Sequence, residues 1–435
     1  MKRREFLAGL PLLAAAPSLL GMRRRPGQTI RVAGPRLVAS LERLSRFGRT
    51  AEGGWRRVAF SDADREARGW LLELLREAGL DPRVDAAANI IAVRPGSQTP
   101  ALPPLMMGSH TDTVPDGGHY DGTVGALAAI EVARTLAEHD VTLRHPLEVA
   151  IFSNEEGGKT GSRALAGEVE PRELDLVTAS GRTIGDGLRF LGGDPAALDS
   201  VVRQPGSVAA YLELHIEQGS VLERAAVPIG VVEGIVGIER WLVEVTGFAN
   251  HAGTTPMDQR QDALLAAARW IDATHRIVRE QPGTQVGTVG RLQVEPNAPN
   301  VIAGRVSATL ELRDLQHERI AALHQRIAAA AAAIGRETDT AFDFERFYLS
   351  RAAPTVEPLR RAIEAAAADL ELPTMRLPSG AGHDAQSIAV LGPIGMIFVP
   401  SVGGISHSPR ELTRPEDIVA GANVLLHALL RADAG

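Results

Sequence analysis

Leu147-Glu-Val-Ala-Ile-Phe152-Ser-Asn-Glu155-Glu156 is a short, mostly apolar run that breaks into a hydroxyl, an amide and two carboxylates. Three other stretches have the same form. Leu105–Met107 runs into Gly-Ser-His110-Thr-Asp112, Tyr211–Leu214 into His215-Ile-Glu-Gln218, and Met396–Val399 into Pro-Ser. Helical stretches such as Val124–Leu136 lie between several of them. This alternation indicates an α/β domain with a mainly parallel sheet, buried on both faces. Reactive groups collect at the carboxyl ends of such strands, and the polar clusters fall there. An upstream helix is expected to open at Ser61, with Asp64 closing a capping box, and to stop at Gly79.

Residues 237–349 have a different rhythm. Trp241–Val245 reads as a strand and Asp258–Arg279 as a long helix. Strands at Thr284–Val294 and Val301–Arg313 follow, then an alanine-rich helix to Ile334 and a strand near Ala341–Phe347. In the second of these strands Val306, Ala308, Leu310 and Leu312 alternate with Ser307, Thr309, Glu311 and Arg313, so one face is buried and one is free. The order β-α-β-β-α-β predicts a ferredoxin-like unit inserted into a catalytic domain of residues 30–236 and 350–435.

The chain of 435 residues is long enough for two cores. A net charge of -7 offers no basic field for nucleic acid. There is no cysteine, so disulfides and thiolate sites are excluded and any metal falls to His, Asp and Glu. Lys2 and Lys159 are the only lysines among 46 cationic residues, which reads as a compositional habit. Residues 1–20 form a separate segment: a basic head at Lys2-Arg3-Arg4, an apolar run from Phe6 to Leu20, and Ala14-Ala15-Ala16. This pattern is expected of a cleaved export signal rather than a membrane span. Arg3-Arg4 followed by Glu-Phe-Leu is similar to a twin-arginine signal, which would make the mature protein periplasmic and free of the membrane.

Of the twelve histidines, five sit in polar clusters or loops: His110, His215, His251, His383 and His407. In an extended His110-Thr-Asp112 both side chains share a face, so Asp112 could hold one imidazole nitrogen while the other binds metal. Asp121 could bridge two cations. Glu155-Glu156, which alone would read as an exposed acidic pair, gives one carboxylate for metal and one for substrate.

Gly108-Ser-His-Thr-Asp-Thr-Val-Pro115 with Tyr120-Asp-Gly122, and Asn154-Glu-Glu-Gly157, resemble the metal motifs of the two-zinc peptidase and amidohydrolase family. Leu214-His-Ile-Glu-Gln-Gly219 is similar to the branch of N-carbamoyl-L-amino-acid hydrolases, allantoate amidohydrolases and β-ureidopropionases. Phe248-Ala-Asn-His-Ala-Gly-Thr-Thr-Pro-Met257, Pro299-Asn-Val-Ile302, Leu312-Arg-Asp314, Ser379-Gly-Ala-Gly-His-Asp-Ala385 and Gly404-Ile-Ser-His-Ser-Pro409 continue that resemblance, which runs from about Ser61 to the end.

The resemblance implies a zinc-peptidase-like catalytic domain with an inserted lid and dimerisation domain, a homodimer, and two divalent metal ions per subunit. The ions would be zinc, with manganese, cobalt or nickel as alternatives. One ion would take His110, His215 and the bridging Asp121, the other Asp121, Glu156 and His407, with His383 as the rival for the last place. Glu155 would be the general base and His251 the oxyanion donor. Arg313 would take the substrate carboxylate, with Gln218, Asn300, Gly380 and Ala381 as further substrate contacts. The implied reaction is hydrolysis of the ureido C–N bond of an N-carbamoyl-L-amino acid. Allantoate amidohydrolase and β-ureidopropionase activities are the alternatives, and a metallopeptidase or N-acyl-amino-acid hydrolase is more distant. From another class, a catalytically dead binding protein is disfavoured by the complete ligand set.

Overall fold

A computed structural model describes residues 30–434; the expected export signal lies outside them. In chain order the strands are β1 (Asp81–Val84), β2 (Ile90–Arg94), β3 (Leu105–His110), β4 (Leu147–Phe152), β5 (Ala210–Ile216), β6 (Ile229–Ile235), β7 (Gly237–Thr246), β8 (Val286–Glu295), β9 (Arg305–Asp314), β10 (Ala341–Ser350), β11 (Ala353–Pro354), β12 (Thr374–Ser379) and β13 (Ile394–Val399). Nine of them form one sheet in the order β1-β2-β4-β3-β5-β13-β6-β11, with β12 paired to β6. Its middle strands, β4-β3-β5-β13, are parallel, and antiparallel pairings flank them.

Every residue of those four middle strands is buried, as expected for parallel strands covered on both faces. The helix Thr123–Glu138 packs on β3, β4 and β5, and the helix Pro415–Ala434 on β5 and β13. Burying each Leu, Ile or Phe of such a core stabilises the fold by about 1.5–3 kcal/mol. No helix among the described residues is long and apolar enough to cross a membrane.

The other four strands form a separate antiparallel sheet in the order β10-β7-β9-β8. Numbered within this unit that is 4-1-3-2, the ferredoxin-like arrangement. The helices Ala263–Glu280 and His317–Thr338 cover one face. There Val306, Ala308, Leu310 and Leu312 pack with Trp270, Leu323 and Ile327, as the alternation along β9 requires.

Three local expectations are corrected. The long helix starts at Ala263, not Asp258, because the Asp262 carboxylate accepts the N–H groups of Leu264 and Leu265 and so caps it. Met257–Gln259 is instead a separate 3₁₀ turn after Pro256. β9 starts at Arg305, because Val301 and Ile302 pair with the His251 loop instead. At the Ser61 cap, Ser61 Oγ accepts the Asp64 N–H at 3.2 Å, but the Asp64 carboxylate reaches back to the N–H of Phe60 at 2.8 Å. Phe60 has a positive φ of 66°, and the box closes one residue early.

Candidate active site

β3, β4 and β5 deliver their terminal residues to one end of the sheet. His110 ends β3 and His215 lies one residue from the end of β5. Each turns its Nδ1 to a backbone carbonyl, His110 to Asp112 at 3.1 Å and His215 to Ile216 at 2.9 Å. That fixes the tautomer and leaves Nε2 facing inward. The His110 Nε2 lies 3.5 Å and the His215 Nε2 3.2 Å from Asp121 Oδ1.

On its other side Asp121 Oδ2 faces His407 Nε2 at 3.3 Å, and that nitrogen lies 3.4 Å from Glu156 Oε1. Glu156 Oε1 is buried with no hydrogen-bond partner among the described residues. Gly122 makes this close packing possible. Its φ is +65°, and a Cβ there would sit 2.4 Å from the His110 ring.

These distances test the fit of metal to the site. In His110, Asp121, His215 and in Asp121, Glu156, His407, one ligand atom per residue lies within 4.8 Å of the others. Ligands about 2.0–2.1 Å from a tetrahedral cation stand roughly 3.3 Å from one another, the spacing found here. The donors are imidazole nitrogens and carboxylate oxygens, which suit zinc, manganese, cobalt and nickel alike. The electrostatics point the same way. Asp121 and Glu156 push His407 up to about 10. Burial opposes a charge on His110, but Glu155, Asp121 and Asp112 outweigh it and raise this histidine well above its ordinary value. Burial would raise Asp121, yet His215, His110 and His407 hold it well below the usual range. The cluster demands positive charge at its centre.

Glu155 Oε2 lies 3.6 Å from His110 Nε2. Burial lifts its carboxyl well above the ordinary range, and Asp384 and Glu156 add to this against the pull of His110. A carboxylate so raised holds a proton more readily than an ordinary one, which suits a group that accepts a proton and returns it.

Asp112 acts differently from expectation. Its carboxylate lies 3.7 Å from His110 Nδ1, too far for a hydrogen bond, and its main-chain carbonyl holds the ring instead. β3 ends at His110, so the two-residue alternation no longer applies at Asp112. The carboxylate instead accepts the N–H groups of Glu155 at 3.3 Å and Glu156 at 3.1 Å, pinning the turn that carries both acids.

The expected substrate residues divide into groups. Gln218 Nε2 donates to Asp121 Oδ2 at 2.5 Å, so it belongs to the cluster. Arg313 donates from Nη1 to the Gly380 carbonyl at 2.6 Å and from Nε to Glu311 at 2.8 Å. The second sheet thereby meets the loop of Gly380 and Ala381, whose Ala381 N–H donates to Ser379 Oγ at 3.2 Å. His251 and Asn300 lie together but apart from the cluster: both are exposed, and the Asn300 carbonyl accepts the Ala252 N–H at 3.0 Å. His251 Nδ1 accepts from Gly253 and Thr254 at 3.0 and 3.2 Å, which puts its proton on Nε2. Neither residue bonds to the cluster among the described residues. His383 is buried against the His215 ring at 4.4 Å and bonds Ser379 Oγ at 2.8 Å; it groups with Glu213 and His215 rather than with Glu156.

Two buried acids escaped the sequence reading. Glu411 accepts the N–H groups of Tyr120 (2.9 Å), Asp121 (3.2 Å) and His407 (3.2 Å), and the Ser406 hydroxyl (2.8 Å). Glu213 accepts from Ser109 at 2.8 Å and from Tyr211 and Ala385, each at 3.1 Å. The available signal for Glu213 was an acid inside the otherwise apolar run Tyr-Leu-Glu-Leu.

Residues 106–431 match the profile of the Peptidase family M20/M25/M40. An N-carbamoyl-L-amino acid amidohydrolase of Geobacillus stearothermophilus is 41% identical over 93% of this chain and 100% of its own. An allantoate amidohydrolase of Bacillus subtilis is 32% identical over 90% of this chain and 96% of its own. A crystal structure of a putative amidohydrolase/peptidase from Burkholderia cenocepacia superposes with a TM-score of 0.85 at 38% identity, covering 94% of this chain and 100% of that one. Together with the β3, β4 and β5 strand ends that carry the cluster, these matches establish that the chain belongs to the Peptidase family M20/M25/M40.

Proposed function

We propose that this protein hydrolyses the ureido C–N bond of N-carbamoyl-L-amino acids, releasing the amino acid, carbon dioxide and ammonia. The observation that supports it most is Asp121, shared between two donor sets, with the raised carboxyl of Glu155 beside it. Enzymes of this family use divalent metals. His110, Asp121 and His215 would hold one cation and Asp121, Glu156 and His407 the other. Bound there, divalent cations supply Lewis acidity that brings a water's pKa toward neutrality.

The chain's own residues do the rest. Glu155 takes the proton of the attacking water and returns it to the leaving nitrogen. Asp112 keeps Glu155 and Glu156 in place through their amides. His251, with its proton on Nε2, is the donor for the carbonyl oxygen as negative charge develops, a contact worth about 3 kcal/mol in such sites. Arg313 presents a planar fork to the substrate carboxylate, beside Gly380 and Ala381.

The exposed His251 and Asn300 suit a lid that completes its own site on closure or that of a partner subunit, and we read the protein as a homodimer of exported, zinc-loaded subunits. A panel of N-carbamoyl-L-amino acids, allantoate, ureidopropionate, N-acyl amino acids and dipeptides, assayed for ammonia and amine release with added metal, tests the substrate. Turnover confined to the dipeptides or N-acyl compounds would overturn the reading, and a clear preference for allantoate or ureidopropionate would move it to that neighbour.

A further inference from the structure

All but two of the 46 cationic residues are arginine, and the only lysine among the described residues is at the active site. Lys159 follows the turn that carries Glu155 and Glu156, and its N–H donates to the Glu155 carbonyl at 2.9 Å. Its backbone is left-handed, with φ 59° and ψ 37°, a region that costs free energy for any residue with a side chain. The two residues before it are glycines, so a residue suited to that backbone was available and a lysine stands there instead.

The Lys159 side chain crosses to the Gly380–Gly382 loop. Its ammonium donates to Gln386 Oε1 and makes no ion pair among the described residues. The same nitrogen lies 3.2 Å from where a Cβ on Gly382 would sit, so the absence of a side chain at 382 shapes the space around it. An ammonium has three donors, and one is used. A half-buried cation with a single neutral partner is unusual, because desolvating a charge is costly unless it is paired. Burial raises Glu155 and lowers His383; the smaller effect of Lys159 opposes burial at Glu155 and reinforces it at His383, so its charge reaches the centre. On the same loop Arg313 holds the Gly380 carbonyl. Gly380 and Gly382 are at most about 7 Å apart along the chain, so two cations from different parts of the sequence flank one short loop.

We infer that Lys159 is a specificity residue that receives a second carboxylate of the substrate, so that ureido acids with acidic side chains, such as N-carbamoyl-L-aspartate and N-carbamoyl-L-glutamate, are the favoured class. This deepens the proposed function and rests on it: Arg313 takes the α-carboxylate and Lys159 the side-chain carboxylate.

The test compares kcat/KM for the aspartate and glutamate derivatives with that for the alanine and leucine derivatives, in metal-loaded wild type, Lys159→Met and Lys159→Arg. Wild type should favour the acidic pair by at least about tenfold, the scale of one charge-assisted contact. Lys159→Met should erase that preference and Lys159→Arg should restore part of it. Equal losses on acidic and neutral substrates would overturn the inference and make Lys159 a support for Glu155. So would a wild type with no preference. A calorimetric titration of free L-aspartate and L-alanine into the same metal-loaded proteins separates this from the parent reading. Aspartate should bind more tightly than alanine in wild type and lose at least about tenfold in Lys159→Met, even if no carbamoyl compound is turned over. Absence of turnover with this binding difference intact would sink the ureido reading and leave only the carboxylate site at Lys159, whereas equal binding of the two amino acids would sink this inference alone.

Discussion

Glu411 accepts the backbone N–H of Asp121 at 3.2 Å across 290 residues of sequence. Its other carboxylate oxygen accepts the N–H of His407, also at 3.2 Å. One buried side chain thus clamps the loop of Asp121 to the loop of His407. The parallel sheet sets the strand ends, but it does not set the distance between these two loops. Glu411 does.

A carboxamide cannot accept at both ends, so Glu411→Gln turns an N–H donor toward Ser406 and the His407 amide. Outer-shell changes of this kind typically weaken metal affinity or activity 10- to 100-fold. The expected result is a metal affinity lowered by about that factor in a chelator competition, with cooperative thermal unfolding retained. Unchanged affinity would show that the two loops hold themselves.

Arg313→Ala separates carboxylate recognition from metal chemistry. Leaving one charge of a buried pair unpartnered costs about 2–5 kcal/mol. kcat/KM for free-acid ureides should therefore fall roughly 30- to 5000-fold, with metal content normal. Arg313→Lys should recover only part, since an ammonium lacks the fork. A carboxyl-amidated substrate should be poor for the wild type and almost indifferent to the change. Equal losses on both substrates would make the bond from Arg313 to Gly380 structural.

The second sheet carries a pH-sensitive contact. His324 stacks on Trp241 with ring centroids 4.3 Å apart, and burial lowers its pKa, against the pull of Glu239 and with a smaller push from Arg346. The unfolded value is about 6.5. A histidine depressed in the folded state leaves stability fully present above that value, and the contribution is lost as pH falls below it toward the folded pKa. Melting curves from pH 8 to pH 5 should therefore show a steeper acid loss for the wild type than for His324→Phe. Parallel curves would contradict the assignment.

How much of this was legible in the sequence follows from what each residue's neighbours are. The alternation along β9 could be read because one face packs on helices and the other does not. His110, Glu155 and His215 could be read because parallel strands collect their ends, and His407 because its loop carries a recognisable motif. The Asp112 contact was misjudged because strand periodicity was carried two residues past the end of β3. Glu411 gave almost no signal: an acid four residues after a loop histidine looks solvated, and only tertiary folding brings Asp121 to it. Lys159 was passed over because its composition is conspicuous in the sequence while its position is conspicuous only in space.

If Glu155 moves the proton at a centre held by the other residues, removing its charge must separate the two roles. Glu155→Gln keeps both donor sets, so elemental analysis should find as many divalent cations per chain as in the wild type. Its kcat on an N-carbamoyl-L-amino acid should fall by about 10²- to 10⁴-fold. A variant that turns over near the wild-type rate, or that loses its cations along with its activity, would contradict the account.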